Sequence, residues 1–148
     1  MSGYQLAQLN IAKMKAPLES PVMADFVANL DRINALAEQS EGFIWRLKDD
    51  TGSATAIRPF GDEVIVNLSA WKDIATLKNY AFISAHVEIM RRRREWFEHM
   101  SEPSSVLWWI SGNQFPTLVD ARNRLEHLQK FGATPYSFTF KDSFAPSQ

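Results

Sequence analysis

The chain contains no cysteine, which excludes disulfides, thiolate metal sites and a cysteine nucleophile and fits a reducing compartment. It has no surplus of either charge: sixteen Lys and Arg stand against seventeen Asp and Glu, a formal net charge of -1. Without a basic excess to neutralise phosphates, neither nucleic acid nor an anionic membrane surface is expected as a partner. Long apolar runs are missing too. The longest, residues 106–110, is far too short to cross a bilayer, and residues 1–14 have no continuous apolar stretch of the secretory-signal kind. A cytoplasmic protein is the expectation. There is also no phosphate-binding glycine loop, no paired-histidine metal motif, no nucleophile elbow and no dinucleotide fingerprint.

What is present suits one folded domain over residues 1–148. Hydrophobic residues make up 45% of the chain, aromatic residues 12% and charged residues 22%, and a chain of this size buries enough surface to fold without a staple. Residues 4–14 carry Ala7, Leu9 and Ile11 on one parity and Leu6, Gln8, Asn10 and Ala12 on the other. That alternation predicts a strand with one apolar face and one mixed face. Ser20 before Pro21 predicts a helix start, with Phe26, Leu30, Ile33 and Ala37 at helical spacing up to about Ser40. Strands are predicted over 43–47 and 64–69, and a helix over 73–80 that resumes through Val87 to Phe97 after a break at Ser84. A fourth strand follows at 106–110.

This order, β-α-β-β-α-β over residues 4–111, is ferredoxin-like: an antiparallel sheet with two helices on one face, in an α+β fold. Residues 112–148 add a helix capped by Thr117, with Leu118, Ala121, Leu125 and Leu128 as its apolar stripe and Gly132 as its stop. Phe138 and Phe140 alternate in the tail, which is expected to dock as a short extended segment.

The element order, the segment Leu-Ala-Gln-Leu-Asn-Ile at 6–11 and the run Arg-Arg-Arg-Arg-Glu-Trp-Phe at 91–97 together resemble a bacterial family, domain of unknown function 3291. Leu-Trp-Trp-Ile at 107–110 and Ser-Phe-Thr-Phe at 137–140 extend the resemblance over nearly the whole chain. The family is similar to the dimeric α/β-barrel superfamily, which includes antibiotic-biosynthesis monooxygenases and haem-degrading monooxygenases. The resemblance implies a homodimer, because a sheet covered on one side leaves an apolar face that a second sheet would cover, closing a barrel around a pocket. One departure stands out. A Gly-His-Pro-Thr-like segment is expected after the tryptophan pair, whereas this chain has Gly-Asn-Gln-Phe-Pro-Thr at 112–117 and lacks that histidine.

The resemblance also supplies candidate residues. His86 stands where haem-degrading relatives place the histidine that ligates iron, so it is a catalytic candidate and a metal ligand only if haem binds; a capping or packing histidine is the competing reading. His99 and His127 read as surface residues on charged helix faces. Asn10 stands on the first strand, where related enzymes place an asparagine that polarises substrate or oxygen. Its neighbour on the same face, Gln8, is a substrate-binding candidate, and the competing reading pairs the two amides with protein. Adjacent Trp108 and Trp109 must point to opposite sheet faces, so one of them is expected to form an aromatic wall in the barrel. Residues 91–94 surround a helical turn and cannot form one anion-gripping face. Arg93, on the side of His86 and Met90, is the one expected at the pocket rim, where it would bind a carboxylate.

Two functions follow. One is a monooxygenase, cofactor-independent or haem-linked, acting on an aromatic or polycyclic compound. The other is a non-catalytic dimer that sequesters or senses a small apolar molecule. RNA binding, which the same element order also serves, would require exposed aromatics flanked by basic residues on the central strands; the stretch Gly-Phe-Ile-Trp-Arg at 42–46 is a poor match, and the charge balance opposes it.

Overall fold

The computed structural model describes residues 3–50, 52, 54–83 and 86–146, with backbone alone at Ile83 and His86. Four strands, β1 (Tyr4–Lys13), β2 (Phe43–Arg46), β3 (Val64–Trp71) and β4 (Ser105–Ser111), form one antiparallel sheet in the order β2-β3-β1-β4. Helix α1 (Ala24–Gln39) crosses from β1 to β2, and α2 (Ile74–Ile83), α3 (His86–Arg91) and α4 (Arg93–Trp96) lie between β3 and β4. The ferredoxin-like order expected from the sequence is therefore present. A last helix, α5 (Leu118–Phe131), follows the sheet.

Several boundaries differ from expectation. Ser20 has the extended backbone of a cap but makes no side-chain capping bond, and Pro21–Met23 forms a 3-10 turn before α1 begins. The break expected at Ser84 lies outside the described residues. A second break falls at Arg92, whose backbone (φ -96°, ψ 3°) separates α3 from α4, and Phe97 leaves the helix to bridge Met14. Thr117 does cap α5, accepting from the Asp120 N–H at 3.1 Å. The tail docks as expected: Phe138 and Leu107 exchange backbone hydrogen bonds of 2.9 and 2.8 Å along the outer edge of β4.

The two sheet faces are both occupied, and this overturns one premise. Ala7, Leu9 and Ile11 share a face with Val66 and Leu68 of β3 and with Val106 and Trp108 of β4. That is the face opposite α1 and α2, expected to be bare and to need a second chain. Instead Ala121, Leu125 and Leu128 of α5 pack on it in the same chain. Trp45 of β2 and Leu47 complete the cluster with Phe60, and Phe115 stacks on Trp45 at 5.5 Å. The apolar stripe of α5 thus supplies the cover that the hydrophobic effect requires of such a face.

On the other face, Leu6, Trp71 and Leu107 pack against Ala37 of α1, Leu77 of α2 and Phe138 of the tail. Tyr80 of α2 stacks on Trp71 at 5.2 Å and donates to the Ile33 carbonyl of α1 at 3.3 Å. Burial pushes its phenol up to about 12, against the opposing effect of the Arg46 charge. These contacts hold the C-terminal end of α1 on the sheet. Its N-terminal turns do not close down in the same way.

Candidate functional site

The apolar stripe of α1 would be buried throughout if the helix lay flat on the sheet. Only Ala37 is; Phe26, Leu30 and Ile33 remain half-buried. They look into a cavity of about 650 Å³, bounded by the sheet below, α1 on one side and α3 with α4 on the other. A volume of that order suits a small organic molecule.

Its floor is polar. Asn10 of β1 and Asn67 of β3 are register partners on the two central strands, and both line the cavity. Asn67 is solvent-exposed: β1 pairs with it on one side, but the pairing of β2 with β3 ends at Ser69. Asn34 of α1 adds a third amide. The walls are Phe26, Ile33, Ile89, Met90 and Phe97, with Phe97 set edge-on to Phe26 at 5.0 Å.

Gln8 is two residues away on the same face of β1 and nearly fully buried. Its amide NH₂ donates to the Asn67 Oδ1 at 2.5 Å and to the Ser69 Oγ at 2.9 Å, while the Trp71 indole N–H donates to that same Ser69 oxygen at 2.9 Å. Gln8 therefore positions Asn67 and does not itself reach the cavity. Asn10 has no hydrogen-bond partner for its side chain among the described residues.

The arginine run divides. Arg92 pairs with Asp25 of α1 at 2.7 Å and Glu95 at 2.9 Å, and lies over the Trp96 ring at 4.9 Å. Its hydrogen bond holds the Glu95 carboxyl below the usual carboxylate range. This arrangement ties α4 to the start of α1 and so fixes the cavity mouth. Arg93 and Arg94 both line the cavity, a correction to the expectation that the run offers a single rim residue. Arg93 and Arg94 are consecutive in α4 and so about 100° apart around it, and the cavity meets that breadth of the short helix.

The tryptophan pair does point to opposite faces, but neither indole reaches this cavity. Trp108 is fully buried beneath α5. Trp109 packs against Phe138, and its indole N–H donates to the Phe144 carbonyl at 2.7 Å. The expected aromatic wall is thus filled from within the chain. The backbone of His86 opens α3, and its side chain lies outside those described. His99 follows α4 in a loop, not on a helix, and is an exposed cavity residue, whereas His127 contacts the Thr134 hydroxyl at 3.0 Å. Among the described residues no group of three His, Cys, Asp or Glu could hold a metal ion. A haem held through histidine would need a buried imidazole, whereas the described histidine in the cavity is the exposed His99.

Sequence reasoning missed Asn67 and Arg94. The first reads as one polar residue within the strand Val-Ile-Val-Asn-Leu-Ser, and only its register with Asn10 marks it out.

A model of the family described as Domain of unknown function (DUF3291) matches residues 5–148. No curated protein shows significant similarity to the chain. Solved structures similar to it include SnoaB, a cofactor-independent oxygenase from Streptomyces nogalater, at 16% identity over 77% of this chain and 96% of that one, with a TM-score of 0.47. A protein of unknown function from Nitrosomonas europaea is 19% identical over 77% of this chain and 96% of its own, with a TM-score of 0.46. A dabb family protein with a ferredoxin-like fold from Mesorhizobium loti is 16% identical over 78% of this chain and all of its own, with a TM-score of 0.44. No helix among the described residues is long and apolar enough to cross a membrane.

Proposed function

The chain belongs to the DUF3291 family, and we propose that it is a small-molecule-binding protein whose site is the cavity between its sheet, α1 and α3–α4. The observation that carries this reading is the amide pair on the central strands. Asn10 and Asn67 face an uncovered cavity in the middle of a sheet whose opposite face is packed apolar throughout. Open polar positions there contribute nothing to the core, whereas a ligand would use them for orientation while Phe26, Ile33 and Met90 supply apolar contact.

The residues that support this reading all come from one chain. A homodimer remains compatible with it, but α5 occupies the sheet face through which a barrel would close. The aromatic or apolar ligand expected from the sequence fits the walls, and the cavity adds a polar floor. Monooxygenase activity would place substrate over Asn10, whose amide is available to polarise a carbonyl or phenol oxygen.

Native mass spectrometry of protein purified from cells should show about one small-molecule adduct per chain. Asn67→Trp, which fills the cavity from an exposed position, should remove the adduct while the protein stays folded, at a cost of about 1–3 kcal/mol because the buried Gln8 NH₂ loses one of its acceptors. An adduct retained at the wild-type level by this variant contradicts the assignment of the site.

A further inference from the structure

We infer that the ligand presents an oxyanion, a carboxylate attached to an apolar body, to the Arg93 and Arg94 side of the cavity. The inference rests on the cavity reading above and specifies the chemistry of what enters it. Two independent observations converge.

The first is the direction of the hydrogen bonds beneath the floor. A main-chain carbonyl can only accept, so the Asn67 C=O at 3.3 Å from the Gln8 nitrogen fixes the Gln8 amide with its NH₂ on that side, where it also donates to the Asn67 Oδ1 and to the Ser69 oxygen that the Trp71 indole N–H shares. With its carbonyl oxygen engaged by Gln8, Asn67 has its own NH₂ left to offer the cavity. At Asn67 the floor thereby presents a donor, complementary to an oxygen acceptor.

The second is the charge around the cavity. Lys15, Arg46, Arg93 and Arg94 line it against one acid, Glu98. Arg46 is committed to Glu38 at 2.9 Å, Lys15 donates to the Arg94 carbonyl, and Glu98 faces Lys13 at 3.8 Å. Arg93 and Arg94 have neither a carboxylate nor a side-chain hydrogen-bond partner among the described residues. Neighbouring Arg92, by contrast, has two carboxylates. Two uncommitted guanidiniums beside the Asn67 NH₂ and apolar walls describe an amphipathic acid.

The test uses 1-pyrenebutyrate and its neutral amide, two fluorescent probes that differ only in charge, titrated into the full chain at matched salt. The acid should bind about tenfold more tightly than the amide, as a charge-assisted hydrogen bond predicts. In R93Q/R94Q that preference should fall to within about twofold, and R93K/R94K should restore part of it. R91Q, an exposed change outside the cavity, should leave the preference at its wild-type value. All three positions involved are exposed on short helices, and circular dichroism should confirm that the variants stay folded. Equal affinity of the wild type for both probes overturns the oxyanion assignment alone. A preference that survives in R93Q/R94Q removes these arginines as its source and overturns it equally. Failure of both probes to bind overturns the cavity reading and this inference with it.

Discussion

Trp108→Ala should destabilise the protein by about 3–5 kcal/mol, the usual cost of removing a fully buried large aromatic from a packed core. The indole has no exposed surface and sits between the sheet and Ala121, Leu125 and Leu128 of α5. Its loss would leave a cavity at the centre of the helix–sheet interface. Trp108→Phe should behave very differently. The indole N–H is buried with no hydrogen-bond partner among the described residues, so the smaller ring loses area but also removes a polar group that folding leaves unsatisfied. Its cost should be below about 1.5 kcal/mol, as for shape-tolerant core exchanges. Denaturant unfolding of the two variants checks both values. Similar losses in the two would mean that the indole nitrogen is engaged or that α5 is loosely held.

The second large effect is expected at the turn into β2. Gly42 has a φ of +85°, and an added Cβ would lie 2.4 Å from both Cβ and Oγ1 of Thr76. Thr76 cannot turn away freely. Asp73 holds it at both ends, accepting its backbone N–H at 2.9 Å and its hydroxyl at 3.1 Å. The Gly42 carbonyl also accepts from the Lys72 N–H at 2.7 Å, which joins this turn to the end of β3. Gly42→Ala should therefore combine backbone strain of about 1–3 kcal/mol with an overlap of similar size, about 2–5 kcal/mol together. Gly132→Ala provides the comparison, since its φ is +79° but a Cβ there meets open space. It should show the strain alone. Equal losses at the two positions, read from thermal or denaturant melts, would show that the Thr76 contact relaxes at no cost.

Much of the fold was legible because the pattern in β1 is unusually clean. Ala7, Leu9 and Ile11 alternate with Leu6, Gln8 and Asn10, and the structure places these sets on opposite faces. The stripe of α5 was legible too, but not its target. Periodicity shows that Leu125 and Leu128 must be buried; it does not show whether they cover the chain's own sheet or something else. That single ambiguity led from a bare sheet face to a pocket between two chains.

Of the cavity lining, Asn10 was legible as an amide on an otherwise core-forming strand, and Arg93 as the arginine on the side of Met90. The lining was not legible at Asn67, because its significance lies in a pairing across 57 residues of sequence, nor at Arg94, because helical periodicity does not show how broad a strip of the helix a cavity meets. Gln8 illustrates the opposite error of scale. It is on the right face, yet its partners Asn67 and Ser69 make it a buried support for the floor.

The central claim is that ligand enters on the Asn10 and Asn67 face of the sheet and not on the face covered by α5. Chemical-shift mapping of ¹⁵N-labelled protein titrated with 1-pyrenebutyrate tests it most directly, because aromatic ring currents move only nearby signals. The side-chain NH₂ signals of Asn10 and Asn67 should shift, together with backbone amides of α3 and α4, while the Trp108 indole and the amides of Leu125 and Leu128 stay in place. Shifts concentrated at Trp108 and along α5, with Asn10 and Asn67 unmoved, would contradict the account.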